Sequence, residues 1–277
     1  MTSATERRER LKAVYEQARQ CTRCPLHQTR TTVVFGSGNA DADLMFVGEA
    51  PGANEDKQGV PFVGQAGKLL SKLLNEIGTD RSEVFICNTV KCRPPNNRDP
   101  HPDEIESCNE YLRSQVELIQ PTVICTLGNF STKLLRSDNT GISRLHGRPE
   151  VRTIGSRAIR LYPLYHPAAA LYTPSTLEIL RSDFHRIPEL LALGAPEQPA
   201  VADEEVPEPE AAAGPPEPAA GPAAPASDPA APAADPAALT ARPVGLASDP
   251  VLHLTGTNAD PAVPASPGPE VVQLGLF

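Results

Sequence analysis

The sequence predicts an α/β fold: a three-layer α/β/α sandwich around a central, mostly parallel four-stranded sheet, followed by a disordered C-terminal tail. Three observations predict it. Four short apolar runs, each the length of one buried strand, are spread over residues 44–166, with helical patterns between them. Strands that alternate with helices pair in parallel, because each helix returns the chain along one face of the sheet. The composition also changes abruptly near Gly194, since 18 of the 31 prolines lie at or beyond Ala195, among Ala, Asp and Glu. Such a segment has too little apolar bulk to offset the entropy of ordering it.

Ser3 and Glu6 have capping-box spacing, and Leu11, Val14, Tyr15 and Ala18 follow at helical period, so a helix delivers the chain to Cys21. LMFVG (Leu44–Gly48) reads as the first strand. GKLLSKLLNEIG (Gly67–Gly78) reads as a helix with Leu69, Leu70, Leu73, Leu74 and Ile77 on one face and Gly78 as its stop. VFICN (Val84–Asn88) is the second strand. A helix then starts at Pro102, with acids in its first turn, and ends before Pro121. TVICTLG (Thr122–Gly128) and IRLYPLYH (Ile159–His166) complete the sheet, and a last helix runs from about Ser175 towards Leu193, kinked or broken at Pro188. Ligands of such folds bind at the carboxyl ends of the strands. Here those ends carry Gly48-Glu49-Ala50-Pro51-Gly52, Asn88-Thr89, Gly128-Asn129 and His166-Pro167.

This divides the chain into a globular domain at 1–194, a Pro/Ala/acidic linker at 195–268 and a C-terminal peptide at 269–277. Charge divides the same way: the segment from Ala195 carries −11 of the overall −9, leaving +2 on residues 1–194. The acidic pI of about 5.2 therefore reports the tail and does not exclude nucleic-acid binding by the folded part. No apolar run reaches transmembrane length, and MTSATERRERLK reads as a charged helix start, not a signal peptide. A cytoplasmic, monomeric protein is expected. In that reducing compartment the six cysteines are thiols or metal ligands sooner than disulfides.

Cys87 and Cys125 lie inside strand runs, where cysteine behaves as a small hydrophobe. Cys21 and Cys24 form a CxxC, and Cys92 and Cys108 bracket the proline-rich loop of KCRPPNNRDPHPDEIESC (Lys91–Cys108). Four thiolates in two pairs can hold a tetrahedral zinc or an iron–sulfur cluster, or remain unligated thiols; spacing does not choose among these.

Together, CTRCPL (Cys21–Leu26), GEAPGANED (Gly48–Asp56), GVPFVGQAGKLL (Gly59–Leu70), ICNTVKCRPPNNR (Ile86–Arg98), Cys108 and HPAAAL (His166–Leu171) resemble the family 4, thermostable-type uracil-DNA glycosylases over roughly residues 8–190. The resemblance implies a monofunctional hydrolase that flips deoxyuridine out of DNA and releases uracil, leaving an abasic site for base-excision repair. It implies a 4Fe–4S cluster, in preference to zinc, held by Cys21, Cys24, Cys92 and Cys108. It implies that Phe62 stacks on the flipped base, that the Asn88 carboxamide reads uracil N3–H and O4, and that His166 donates towards O2 as the base leaves. Ala50 stands in the substrate site where the best-known family of uracil-DNA glycosylases has an aspartate. The carboxylate that positions water then comes from elsewhere or is dispensable; Glu49 and Glu55 are the nearest candidates, between which the sequence does not choose. Gly52 supplies no bulk against the thymine methyl.

Lys91, Arg93, Arg98, Arg144 and Arg148 are the expected phosphate contacts, and Pro167–Leu171 is a wedge for the duplex. The final QLGLF resembles the bacterial sliding-clamp-binding pentapeptide, with Gln273, Leu274, Leu276 and Phe277 as its anchors and Gly275 as a departure. The linker before it would reach about 50 Å root-mean-square as a random coil. Two other readings remain: a non-catalytic iron–sulfur DNA-binding protein, and a related enzyme that traps uracil-DNA covalently through an inserted Lys-Arg-Arg-Ile-His loop. No such insertion follows Asn88.

Overall fold

The computed structural model describes residues 3–199. The linker from residue 200 onward and the whole C-terminal peptide, with Gln273, Leu274, Leu276 and Phe277, lie outside the described residues. Helix α1 (Ala4–Arg19) begins where the capping pattern puts it, with Ser3 Oγ accepting the N–H of Glu6 at 3.2 Å.

Six strands form one sheet: β1 (Ser37–Gly38), β2 (Leu44–Gly48), β3 (Phe85–Asn88), β4 (Val123–Leu127), β5 (Glu150–Ile154) and β6 (Arg157–Leu164), in the order β1-β3-β2-β4-β6-β5. The four expected strands are its parallel centre, and two antiparallel edges widen the expected four-stranded sheet to six. The edge β5 escapes a periodicity reading because Glu150-Val151-Arg152-Thr153 is polar and partly exposed. What marks it is the two-residue Gly155-Ser156 turn that folds β5 back on β6, with Ile154 opposite Arg157.

The crossovers are α2 (Ala53–Gln58), α3 (Gln65–Glu76), α4 (Pro102–Ile119), α5 (Asn129–Arg136) and α6 (Ile142–Leu145), and α7 (Pro167–Ala170), α8 (Pro174–His185) and α9 (Ile187–Ala192) follow the last strand. The last expected helix is two: the break falls at Arg186, and Pro188 sits in the first turn of α9, where its missing N–H costs no bond.

Alternation along the strands divides the core between two faces. Met45, Val47, Phe85 and Ile124 pack with Leu11, Leu112, Val116 and Ile119 of α1 and α4. Leu44, Phe46, Val123 and Cys125 pack with Leu70, Leu73, Leu74, Phe184 and Ile187 of α3, α8 and α9. The result is the expected helix–sheet–helix layering. Past Gly194, the Gln198 amide bonds both backbone groups of Ala158, at 3.2 and 3.0 Å, so the packed residues reach beyond the expected boundary. The chain leaves β2 towards β3 and leaves β4 towards β6. These diverging connections open a crevice at the carboxyl edge.

Candidate active site

A cavity of about 420 Å³ occupies that edge, lined among others by Glu49, Ala50, Gly52, Glu55, Phe62, Asn88 and His166. Three of the strand ends named from sequence therefore meet in one place. The fourth, Gly128, backs the site without lining it: a Cβ there would stand 3.2 Å from His166 Cβ.

Phe62 is held in a left-handed conformation, φ +53°, which a phenylalanine adopts only under constraint. The constraint is visible. Arg81 donates Nη1 to Phe62 O at 2.9 Å and Nη2 to Pro61 O, while Glu55 Oε1 accepts the N–H groups of Val63 and Gly64, both at 3.0 Å. Helix α3 packs so closely beneath that a Cβ on Gly67 would lie 1.7 Å from Phe62 O. Arg81 was not foreseen; its signal is spatial, because 19 residues separate it from Phe62.

Asn88 is buried at the end of β3, with its carboxamide towards the cavity, and among the described residues no protein group bonds that amide. Gly48 stands beside it at the end of β2. A Cβ on Gly48 would come within 2.4 Å of Asn88 Oδ1 and 2.6 Å of Phe62 Cζ, so glycine is what lets amide and ring approach each other.

The His166 ring lies 5.7 Å from the Phe62 ring, centroid to centroid, at an interplanar angle of 28°. Its Nδ1 accepts the N–H of Ala168 at 3.1 Å, which leaves the proton of a neutral imidazole on Nε2. Burial pushes the His166 pKa down to about 4, so the ring is neutral at physiological pH and acts there as a hydrogen-bond donor, not as a cation. Glu49 moves the other way: burial, and then the charge of Asp99, raise its pKa to about 7. The two carboxylates left open by the sequence thus differ in kind. Glu55 is committed to the loop that shapes Phe62, and Glu49 is a perturbed acid in the cavity wall.

The cysteine-bounded loop supplies the opposite wall through Pro94, Asn97 and Arg98. Arg98 is bound in two-pronged fashion by the buried Glu104, at 2.8 and 2.6 Å, and Arg93 donates to Asn97 Oδ1 at 2.7 Å. Arg144 and Arg148 are exposed and lie outside the cavity. Lys91 is a correction: it is 1% exposed, and its ammonium is spent on Asn88 O and Gln115 Oε1, so it presents no charge to phosphate.

Cys21, Cys24, Cys92 and Cys108 converge: Cys24 feels the charge of Cys21, Cys92 that of Cys108 and Cys24, and Cys108 that of Cys24 and Cys21. Two sulfurs already accept hydrogen bonds, Cys92 Sγ from Arg30 Nη1 at 3.3 Å and Cys108 Sγ from Lys91 N at 3.2 Å. Burial raises Cys92 to about 11 against the opposing Arg30, and it also raises Cys24 and Cys108. At Cys21 burial is outweighed by the Tyr111 hydroxyl and Arg23, and the thiol falls below its ordinary value. Among the described residues no three His, Cys, Asp or Glu side chains gather around one ion position. Four soft donors drawn together, two of them already accepting N–H groups at sulfur, fit a thiolate-ligated metal group. Cys87 and Cys125 are wholly buried in the sheet and take no part.

A mixed sheet with a cavity at the carboxyl edge of its parallel centre, lined by an aromatic ring, a buried amide and a neutral imidazole, defines a nucleobase-handling α/β protein. The uracil DNA glycosylase superfamily model matches residues 35–187. Over 185 residues the chain is 49% identical to the type-4 uracil-DNA glycosylase of Sulfurisphaera tokodaii, covering 65% of this chain and 84% of that protein. The type-4 uracil-DNA glycosylase of Saccharolobus solfataricus is 47% identical over 189 residues, with 66% and 88% covered. That of Thermotoga maritima is 45% identical over 166 residues, with 60% and 85% covered. The chain belongs to the type-4 uracil-DNA glycosylases.

Proposed function

We propose that this protein excises uracil from DNA by hydrolysing the N-glycosidic bond, opening base-excision repair in the cytoplasm. The observation that carries the assignment is the meeting of Phe62, Asn88 and His166 in one cavity at the sheet's carboxyl edge. A base inside a duplex presents neither its faces nor its Watson–Crick edge, so a pocket that contacts both acts on a flipped nucleotide. Phe62 supplies the stacking surface. The Asn88 amide, held without a protein partner, accepts from uracil N3–H and donates to O4; cytosine reverses both groups and would leave the buried amide mismatched, at a cost of about 1–3 kcal/mol.

As the bond breaks, the base becomes anionic and the sugar cationic. The Nε2–H of neutral His166 stabilises the developing charge on O2, and a preorganised donor does so without reorienting during the step. Glu49 is the carboxylate assigned to the attacking water, because Glu55 already holds the Val63 and Gly64 amides. Arg93, Arg98, Arg144 and Arg148 are assigned to the phosphates and Pro167–Leu171 to the duplex wedge. Cys21, Cys24, Cys92 and Cys108 would hold a 4Fe–4S cluster, whose part there would be structural, fastening the N-terminal segment to the loop that walls the cavity. Gln273, Leu274, Leu276 and Phe277 are assigned to a sliding-clamp groove on the strength of their sequence.

The test is excision from a labelled oligonucleotide with one deoxyuridine, followed by mild alkali and a denaturing gel. Cleavage confined to the uracil strand, absent from thymine and cytosine controls, is expected. No cleavage by protein with intact cluster absorbance would overturn the assignment, and a protein–DNA adduct would replace it with a trapping reaction.

A further inference from the structure

Lys91 is a buried cation that the excision chemistry leaves unused. Its Nζ donates to Asn88 O at 2.7 Å and to Gln115 Oε1 at 2.6 Å, and Gln115 Nε2 donates in turn to Phe35 O at 2.9 Å. The Phe35 ring lies 6.0 Å from the ammonium, within reach of a weak cation–π attraction. Lys91 and Gln115 are each at most 1% exposed, and among the described residues no carboxylate pairs with Lys91. The backbone of the same residue faces the cysteines: Lys91 N donates to Cys108 Sγ at 3.2 Å, and Lys91 O accepts from Val34 N at 2.8 Å.

A buried cation whose neighbours are an amide, a peptide oxygen and the Cys87 and Cys108 sulfurs, with no carboxylate among the described residues, is an expensive way to fill a core, and a well-packed apolar side chain of similar volume is often more stable. What the ammonium supplies that an apolar side chain cannot is direction. It pins the one peptide oxygen whose residue carries the unpartnered amide, and it pins it to α4 through Gln115. The strand ladder holds Asn88 opposite Gly48, and the ammonium adds a hold at its carbonyl oxygen, because the amide must stay free for a ligand.

We infer that Lys91 and Gln115 are positioning residues for base recognition, fixing the Asn88 peptide to the α4 framework that also carries Cys108. The inference rests on the proposed role of Asn88. Neither residue touches substrate. Each sets where the Asn88 carboxamide stands, and a displacement near 1 Å at such a group costs roughly 100-fold in rate.

The test compares Lys91→Met, which keeps volume and removes both donors, with Leu118→Ala, which destabilises the same helix away from this relay. Both proteins, purified with their metal, are assayed for iron content, melting temperature, free-uracil affinity by calorimetry, and kcat and KM separately. Lys91→Met is expected to lose ~10- to 100-fold in uracil affinity and in kcat, with KM for DNA and iron content near the parent's. Leu118→Ala is expected to lose melting temperature alone. Uracil affinity in Lys91→Met no lower than in Leu118→Ala would overturn the inference, as would an activity loss that merely tracks lost iron. Gln115→Met, which removes the ammonium's acceptor and leaves Lys91 in place, is read by the same criteria if Lys91→Met does not fold. Asn88→Ala run alongside separates the two levels: unchanged uracil affinity there would overturn the recognition role and the inference with it, whereas a loss in Asn88→Ala without one in Lys91→Met would overturn the inference alone.

Discussion

Glu49 and His166 show how one cavity shifts two titratable groups in opposite directions. Burial disfavours the charged form of each, lowering the imidazole to about 4 and raising the carboxyl to about 7. For Glu49 the direction has consequences for stability as well as for rate. Its folded pKa lies above the ordinary 4.5, so the folded protein binds the proton more tightly than the unfolded chain does, and stability falls as pH rises from about 4.5 to about 7. Glu49→Gln removes the ionisation. It is expected to melt above the parent at pH 8, with the difference shrinking towards pH 4.5, and to lose the rising limb near pH 7 in kcat/KM. Melting curves and rate profiles across that range check both halves; a parent limb near pH 7 that survives in Glu49→Gln would remove Glu49 from the water-positioning role. The sequence made Phe62, Asn88 and His166 legible because each lies in a local motif or ends a strand. Arg81 and Gln115 were illegible because what gives them meaning is a contact with the backbone of a residue far away in the chain, and nothing in the local pattern of either residue marks it. Lys91 was misread for the complementary reason: composition shows a charge but not which way its stem points.

The strands, helices α3 and α4, and the break before Pro188 follow from apolar periodicity and punctuation, which is why they were legible. Edges β1 and β5 bury only one side or are too short, and their polar sequences carry no strand period. The loop from Cys92 to Cys108 was read as something tied down at its ends. The structure adds that it forms a wall of the cavity through Pro94, Asn97 and Arg98. Asn96 and Asn97 both adopt positive φ, +57° and +53°, so the loop's shape is strained and depends on its anchors. Removing the proposed metal group by Cys108→Ser is therefore expected to do more than abolish its absorbance. Hydrogen exchange should quicken through residues 92–108, the melting temperature should fall, and uracil excision should weaken because the wall moves. Unchanged exchange in that loop, with the metal gone, would show that the loop holds itself without help from the cysteines.

Charge is divided in a way that separates search from chemistry. Residues 1–194 carry +2, while the segment from Ala195 carries −11 with Arg242 as its one basic residue, so the tail is repelled by the phosphates that the folded part must approach. In the proposed attachment to a sliding clamp, tethering an enzyme to a partner already on DNA raises its local concentration without any new contact to the substrate. The apolar Leu274, Leu276 and Phe277 after an otherwise polar, proline-rich run are the anchor this scheme requires. Deleting Gln273–Phe277 removes no charged residue, so binding to free DNA and excision from short oligonucleotides are expected to stay at the parent's level, while affinity for a purified sliding clamp is lost. On circular DNA loaded with the clamp, the deletion should slow excision to the rate seen without clamp. Equal clamp affinity with and without the five residues would refute the tether. Slower excision from free oligonucleotides after the deletion would instead place the peptide in the enzyme's own machinery.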